Sequence, residues 1–113
     1  MNDALEYEIR LLHDRICQAI GDPKRMLLLY ELHRGQRRVT ELADALNLPQ
    51  PTVSRHLKIL RERGLVEAHR EGTGVIYSLS VPEIITAIDY MRSVLKHILE
   101  KESARNELTP SGI

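Results

Sequence analysis

Val39-Thr40-Glu41-Leu42-Ala43-Asp44-Ala45-Leu46-Asn47-Leu48-Pro49-Gln50-Pro51-Thr52-Val53-Ser54-Arg55-His56-Leu57-Lys58 is the stretch on which the fold of this chain turns. It reads as two helices joined by a tight turn. Thr40 is expected to cap a short helix, Glu41 to Leu46, with the Glu41 carboxylate in the first turn where the helix dipole favours it. Asn47 tolerates the left-handed conformation that ends such a helix, and Asn47-Leu48-Pro49 leaves room only for a turn. A second helix is then predicted from Gln50 to Arg63, with Val53, Leu57 and Leu60 on its buried face and Gly64 just beyond it. Ala43 is small enough to let the two helices cross closely. The opposite face of the second helix offers Gln50, Thr52, Ser54, Arg55, His56 and Lys58, all able to donate or accept hydrogen bonds. Such a helix is roughly 20 Å long at about 1.5 Å per residue, and a DNA major groove about 12 Å wide admits it.

Working outward, Leu5, Ile9, Leu12 and Ile16 recur at helical spacing, so a first helix is predicted from Ala4 to Ile20. Gly21-Asp22-Pro23 reads as a stop, an N-cap and a first helical position. A largely buried helix follows from Lys24 to His33, with Met26, Leu27, Leu29, Tyr30 and Leu32 as its apolar residues. Downstream of Gly64, the alternating runs Leu65–Arg70 and Val75–Leu79 flank Glu71-Gly72-Thr73-Gly74, a hairpin signal. A last helix is predicted from Pro82 to Glu102, with Ile84, Ile88, Met91, Leu95 and Ile98 in one stripe. The order describes a mainly α (α+β) fold, a winged helix-turn-helix with an extra helix at each end. One domain over residues 1–102 is expected, with residues 103–113 fraying.

Gly21-Asp22-Pro23-Lys24-Arg25, then Val39 to Leu46, then Gln50 to Lys58, then Gly64-Leu65-Val66 resemble, in order and spacing, the ArsR/SmtB family. The likeness covers roughly residues 15 to 80. It implies a homodimeric repressor that binds double-stranded operator DNA and leaves it when an inducer, often a metal ion, binds. By position, Gln50, Ser54 and Arg55 would contact bases or phosphates, with Thr52, His56 and Lys58 as second choices. Gln suits adenine and Arg suits guanine. The wing would bring His69, Arg70 and Thr73 to the flanking backbone or minor groove. Pro49 departs from the family pattern, which often has a capping serine there, because proline has no N–H to offer.

Two apolar helices at the ends exceed what a small interior can hide, so Leu5, Ile9, Leu12, Ile16, Ile84, Ile88, Met91, Leu95 and Ile98 are expected at a two-fold dimer interface. The inducer is not legible. The Cys-x-Cys that thiophilic-metal sensors of the family carry before the recognition helix is absent from Glu41–Leu46. The early part of the last helix offers only Glu83 and Asp89, and its late part has His97 without a second histidine. His13 and Cys17, with His97, form at most a partial soft-metal set, and a small buried role for Cys17 is the stronger reading. Apart from a metal ion on that partial set, no cofactor is read from the sequence. Cys17 is the only cysteine, which suits a reducing cytoplasm.

Composition narrows the functions further. No apolar run approaches the ~18 residues of a membrane span. No nucleophile–base set, phosphate-binding glycine loop or catalytic carboxylate pair is visible, which argues against an enzyme. With no Phe or Trp, a stacking platform for single strands is disfavoured. The alternative to a DNA-binding regulator is a winged-helix module that binds protein. The formal charge is zero, but residues 23–38 hold five basic groups against one acidic, and residues 50–76 hold five against three. The basic segments surround the proposed reading head, while residues 1–22 are acidic, with two basic groups against five.

Overall fold

The structure, a computed structural model, describes residues 2–108. It divides into two compact units, one ending at Pro82 and one beginning at Glu83. In the first unit, helix α1 is continuous from Asp3–Leu12 through a π-helical turn, His13–Cys17, to Gln18–Ile20. Helices α2 (Pro23–His33), α3 (Val39–Leu46) and α4 (Gln50–Glu62) follow, then the antiparallel strands β1 (Val66–Glu71) and β2 (Gly74–Leu79). Helix α5 (Glu83–Leu108) forms the second unit. The winged helix-turn-helix architecture expected from sequence is the one observed.

Local chemistry explains the boundaries. Asp22 caps α2, its Oδ1 accepting from the Lys24 N–H at 2.8 Å, and Pro23 occupies the first turn, as Gly21-Asp22-Pro23 led us to expect. Helix α3 starts earlier than predicted: its N-cap is Arg38, not Thr40, and the Arg38 N–H donates to Glu41 Oε1 at 2.9 Å. Both helices of the helix-turn-helix end in the same device. Asn47 takes φ 54, with Leu48 N–H bonded to Ala43 O at 3.0 Å and Asn47 N–H to Asp44 O at 3.3 Å. Gly64 takes φ 85, with Leu65 N–H bonded to Leu60 O and Gly64 N–H to Arg61 O, both at 3.0 Å. These paired bonds satisfy carbonyls that a helix end otherwise leaves open.

The core contains no large aromatic side chain. Leu28, Leu29 and Leu32 of α2, Leu42 and Ala43 of α3, and Val53, Leu57 and Leu60 of α4 are all buried. Leu27, expected inside, is exposed, and Leu28 takes its place. The hairpin turns through Gly72 at φ 62 and Thr73, with Glu71 paired to Gly74. Glycine at the first turn position is what a two-residue hairpin of this hand requires. Tyr77 of β2 also exchanges backbone bonds with Arg37: Arg37 N–H to Tyr77 O at 3.0 Å and Tyr77 N–H to Arg37 O at 2.8 Å. At the base, Ser80 donates from its N–H to Leu65 O and from its hydroxyl to Gly64 O, each at 3.0 Å.

Helix α5 runs past the expected end at Glu102 to Leu108, because neither glycine nor proline interrupts the chain before Pro110. The remainder of the expected fraying tail lies outside the described residues. Ile84 and Ile88, also expected at the dimer interface, are only 6% and 2% exposed within a single chain. No helix among the described residues is long and apolar enough to cross a membrane.

Candidate nucleic-acid interface

Helix α4 separates its faces cleanly. Val53, His56, Leu57 and Leu60 point inward. Gln50, Ser54 and Lys58, four residues apart, form an exposed stripe that Arg61 continues, and Arg55 stands exposed beside it. Thr52 is half-buried at the margin. Arg61 is not among the contact residues expected from sequence. Its place on the stripe follows from the three-residue step after Lys58. Pro49 precedes the helix with no capping side-chain hydrogen bond, so the first amides of α4 are not taken up by a serine-type cap.

His56 is a correction. It is 6% exposed, and its Nδ1 lies 3.1 Å from Nη1 of Arg25. A guanidinium has no acceptor, so Nδ1 must accept and the ring is neutral, with its proton on Nε2. Arg25 meanwhile donates from Nε to Ala19 O at 2.5 Å and from Nη2 to Gln18 O at 3.1 Å. One side chain thus closes the C-terminal end of α1, where a cation is favoured, and fixes a residue of the recognition helix. A second link joins the same elements, since Nη1 of Arg63 donates to the backbone oxygen of Asp14. That oxygen would serve the Gln18 N–H in an α-helix, but in the π-turn Gln18 donates to His13 O instead. Sequence reading placed Arg25 in a family motif but missed its contact, because nothing local ties it to a histidine 31 positions away.

Burial holds the His56 pKa below its ordinary value, and the charges of Arg25, Arg55 and Lys24 add to this while Asp22 opposes it. The Lys24 amide lowers the pKa of Asp22 from its ordinary value, with His56, Arg25 and Lys24 contributing. The folded chain therefore binds the His56 proton less readily than the unfolded chain. The stability this confers is complete above about pH 6.5 and declines as pH falls below it, by at most about 1.4 kcal/mol per pH unit for one proton. The Asp22 contribution has the same sign but is lost only on approach to pH 3.8 and below. Urea midpoints should fall between pH 7 and pH 5, and His56→Gln, whose amide oxygen can still accept from Arg25, should flatten that fall. An unchanged pH slope in the variant would contradict the assignment.

On the wing, His69, Arg70 and Thr73 are all exposed. Strand alternation sends His69 and Arg70 to opposite faces of the hairpin, with Thr73 at its tip. His69 Nε2 stands 3.5 Å from Glu67 Oε1. Arg37, half-buried, pairs with Glu31 at 3.0 Å, and Arg34 approaches the same carboxylate at 3.4 Å.

The residues expected at a dimer interface divide. Leu5, Ile9 and Leu12 are exposed and Ile16 is half-buried. Met91, Leu95 and Ile98 are exposed, on one face of α5 with Val94 and Leu99. Of the metal candidates, His13 Nδ1 sits 3.3 Å from Asp14 Oδ1, and His97 is exposed. Cys17, expected to be buried, is exposed. Among the described residues, no three His, Cys, Asp or Glu side chains are grouped to hold a metal ion.

Comparison with known proteins agrees with the winged helix-turn-helix fold. The chain is 45% identical over 65 residues to the transcriptional repressor SmtB of Mycobacterium tuberculosis, across 58% of this chain and 48% of that protein. It thus spans about half the length of that relative. It is 42% identical over 78 residues to an HTH-type transcriptional regulator of Methanocaldococcus jannaschii, covering 66% of this chain and 88% of that protein. A solved homodimeric winged helix-turn-helix DNA-binding domain of Mycobacterium bovis superposes with a TM-score of 0.74 at 28% identity, over 89% of this chain and 93% of the other. Residues 22–68, from the cap of α2 through the helix-turn-helix into β1, match the family model for bacterial regulatory proteins of the arsR family. The chain belongs to the arsR family of bacterial regulatory proteins.

Proposed function

We propose that this chain is a cytoplasmic, homodimeric transcriptional repressor that binds an inverted-repeat operator in double-stranded DNA and has no catalytic role. The observation that carries this is the exposed face of α4: Gln50, Ser54, Arg55, Lys58 and Arg61 present donors and acceptors while the other face is anchored in the core. Arg and Gln are the side chains that read guanine and adenine edges bidentately. Dimerisation through the exposed apolar faces of α1 and α5 would set two such helices about 34 Å apart, one turn of B-DNA. Binding across a promoter excludes polymerase, and release by an inducer restores transcription.

Fluorescence anisotropy against a selected operator and a random duplex tests the reading. Log affinity should fall linearly with log salt, by about 0.9 per neutralised phosphate. Arg55→Ala should weaken operator binding by about 1–3 kcal/mol and random-duplex binding much less, if Arg55 reads a base. Absence of binding to any duplex at low salt would overturn the function. Equal losses on both duplexes would move Arg55 from base to phosphate.

A further inference from the structure

Gly74 opens strand β2 in a backbone conformation open to any residue, for its φ is not positive, unlike that of Gly72 two positions earlier. Glycine within a strand weakens it, so its presence there calls for a reason beyond the backbone. The reason is spatial: a Cβ at Gly74 would overlap the guanidinium of Arg38, the N-cap residue of α3. Arg38 is half-buried, and its guanidinium forms no ion pair among the described residues. Its neighbour Arg37 behaves differently, being neutralised by Glu31. An uncompensated cation therefore lies across the root of the wing's turn, beside Thr73 and next to the start of the helix-turn-helix.

We propose that Arg38 is a phosphate contact at the wing, seated on Gly74, and that position 74 is glycine in order to leave it that seat. The proposal rests on the DNA-binding reading above. An arginine lying between the turn and α3 would bring both to the DNA backbone without reading sequence. A methyl group at position 74 meets only the far end of a flexible side chain, so the fold accommodates it by displacing the guanidinium.

The test is a double-mutant cycle of Arg38→Ala and Gly74→Ala, read by anisotropy on operator and random duplexes over a salt series. Arg38→Ala should weaken both duplexes alike, by roughly 3- to 10-fold, and reduce the salt slope by about 0.9. Arg38→Lys, which keeps the charge, should restore most of that slope. Gly74→Ala should lose comparable affinity in the wild-type background and almost none on top of Arg38→Ala. Its melting temperature should stay close to wild type. Wild-type binding with an unchanged slope in Arg38→Ala, or equal Gly74→Ala losses in both backgrounds, overturns this proposal alone. Failure of the wild-type chain to bind any duplex overturns the DNA-binding reading, and this proposal with it.

Discussion

Glutamate at both Met91 and Leu95 is expected to convert the protein from dimer to monomer and to lower operator affinity by at least about 100-fold. The two residues are 44% and 54% exposed in a single chain, a turn apart on the face of α5 shared with Val94, Ile98 and Leu99. Such an exposed apolar face is what the proposed dimer interface would cover. Burying two carboxylates there without partners costs several kcal/mol each, more than a dimer of ordinary affinity retains. The affinity loss follows from mass action: one recognition helix on one half-site lacks the high effective concentration that its tethered twin supplies. Sedimentation and anisotropy on the same samples check both effects. Because both positions are exposed within the chain, the substitutions should leave its secondary structure intact by circular dichroism. A double variant that still sediments as a dimer would sink the proposed interface. Ile88→Glu provides the contrast: Ile88 is only 2% exposed within a single chain, so the carboxylate should lower stability and not merely dissociate the dimer.

Leu57→Ala should cost about 2–5 kcal/mol of stability and lower the melting temperature by on the order of 10–30 °C. Leu57 is fully buried at the centre of the inward face of α4. Truncation removes the transfer energy of its methyl groups and leaves a cavity that surrounding leucine and valine side chains fill only in part. A domain of this size has little stability in reserve, so the variant is expected to be partly unfolded at 37 °C. The adjacent Lys58 is exposed, and Lys58→Ala should change stability by no more than about 0.5 kcal/mol while weakening DNA binding. The pair thus separates packing from recognition within two consecutive residues. If both variants melted alike, the orientation of α4 described above would be wrong.

The turn-forming residues were the most legible part of the chain. Asn47, Gly64, Gly72 and the Asp22-Pro23 pair each announce a backbone conformation that few other residues adopt, and each stands where that conformation is needed. Helix α4 was readable too, and more fully than we read it. Val53, His56, Leu57 and Leu60 follow the steps of three, one and three that define one helical face, so the burial of His56 was present in the spacing. Its polar character drew it to the wrong side. The division of α5 could not be read, because its apolar stripe keeps one period while Ile84 and Ile88 are buried and Met91 and Leu95 are not. The π-turn over His13–Cys17 has no residue signature. Arg25 on His56 and Arg38 on Gly74 are products of tertiary approach, and periodicity carries no information about them.

The bond pair between Arg37 and Tyr77 has a consequence for the protein's behaviour in concentrated solution. A lone two-stranded ribbon exposes two rows of unsatisfied amides and carbonyls, each a template on which a neighbouring molecule can add a strand. Arg37 occupies that row on β2 near its middle, interrupting the run that an incoming strand would need. On β1, Glu67, His69, Arg70 and Glu71 line the strand with ionisable side chains of both signs, which discourage a like strand from docking. The exposed hairpin is thereby kept from polymerising through its own backbone.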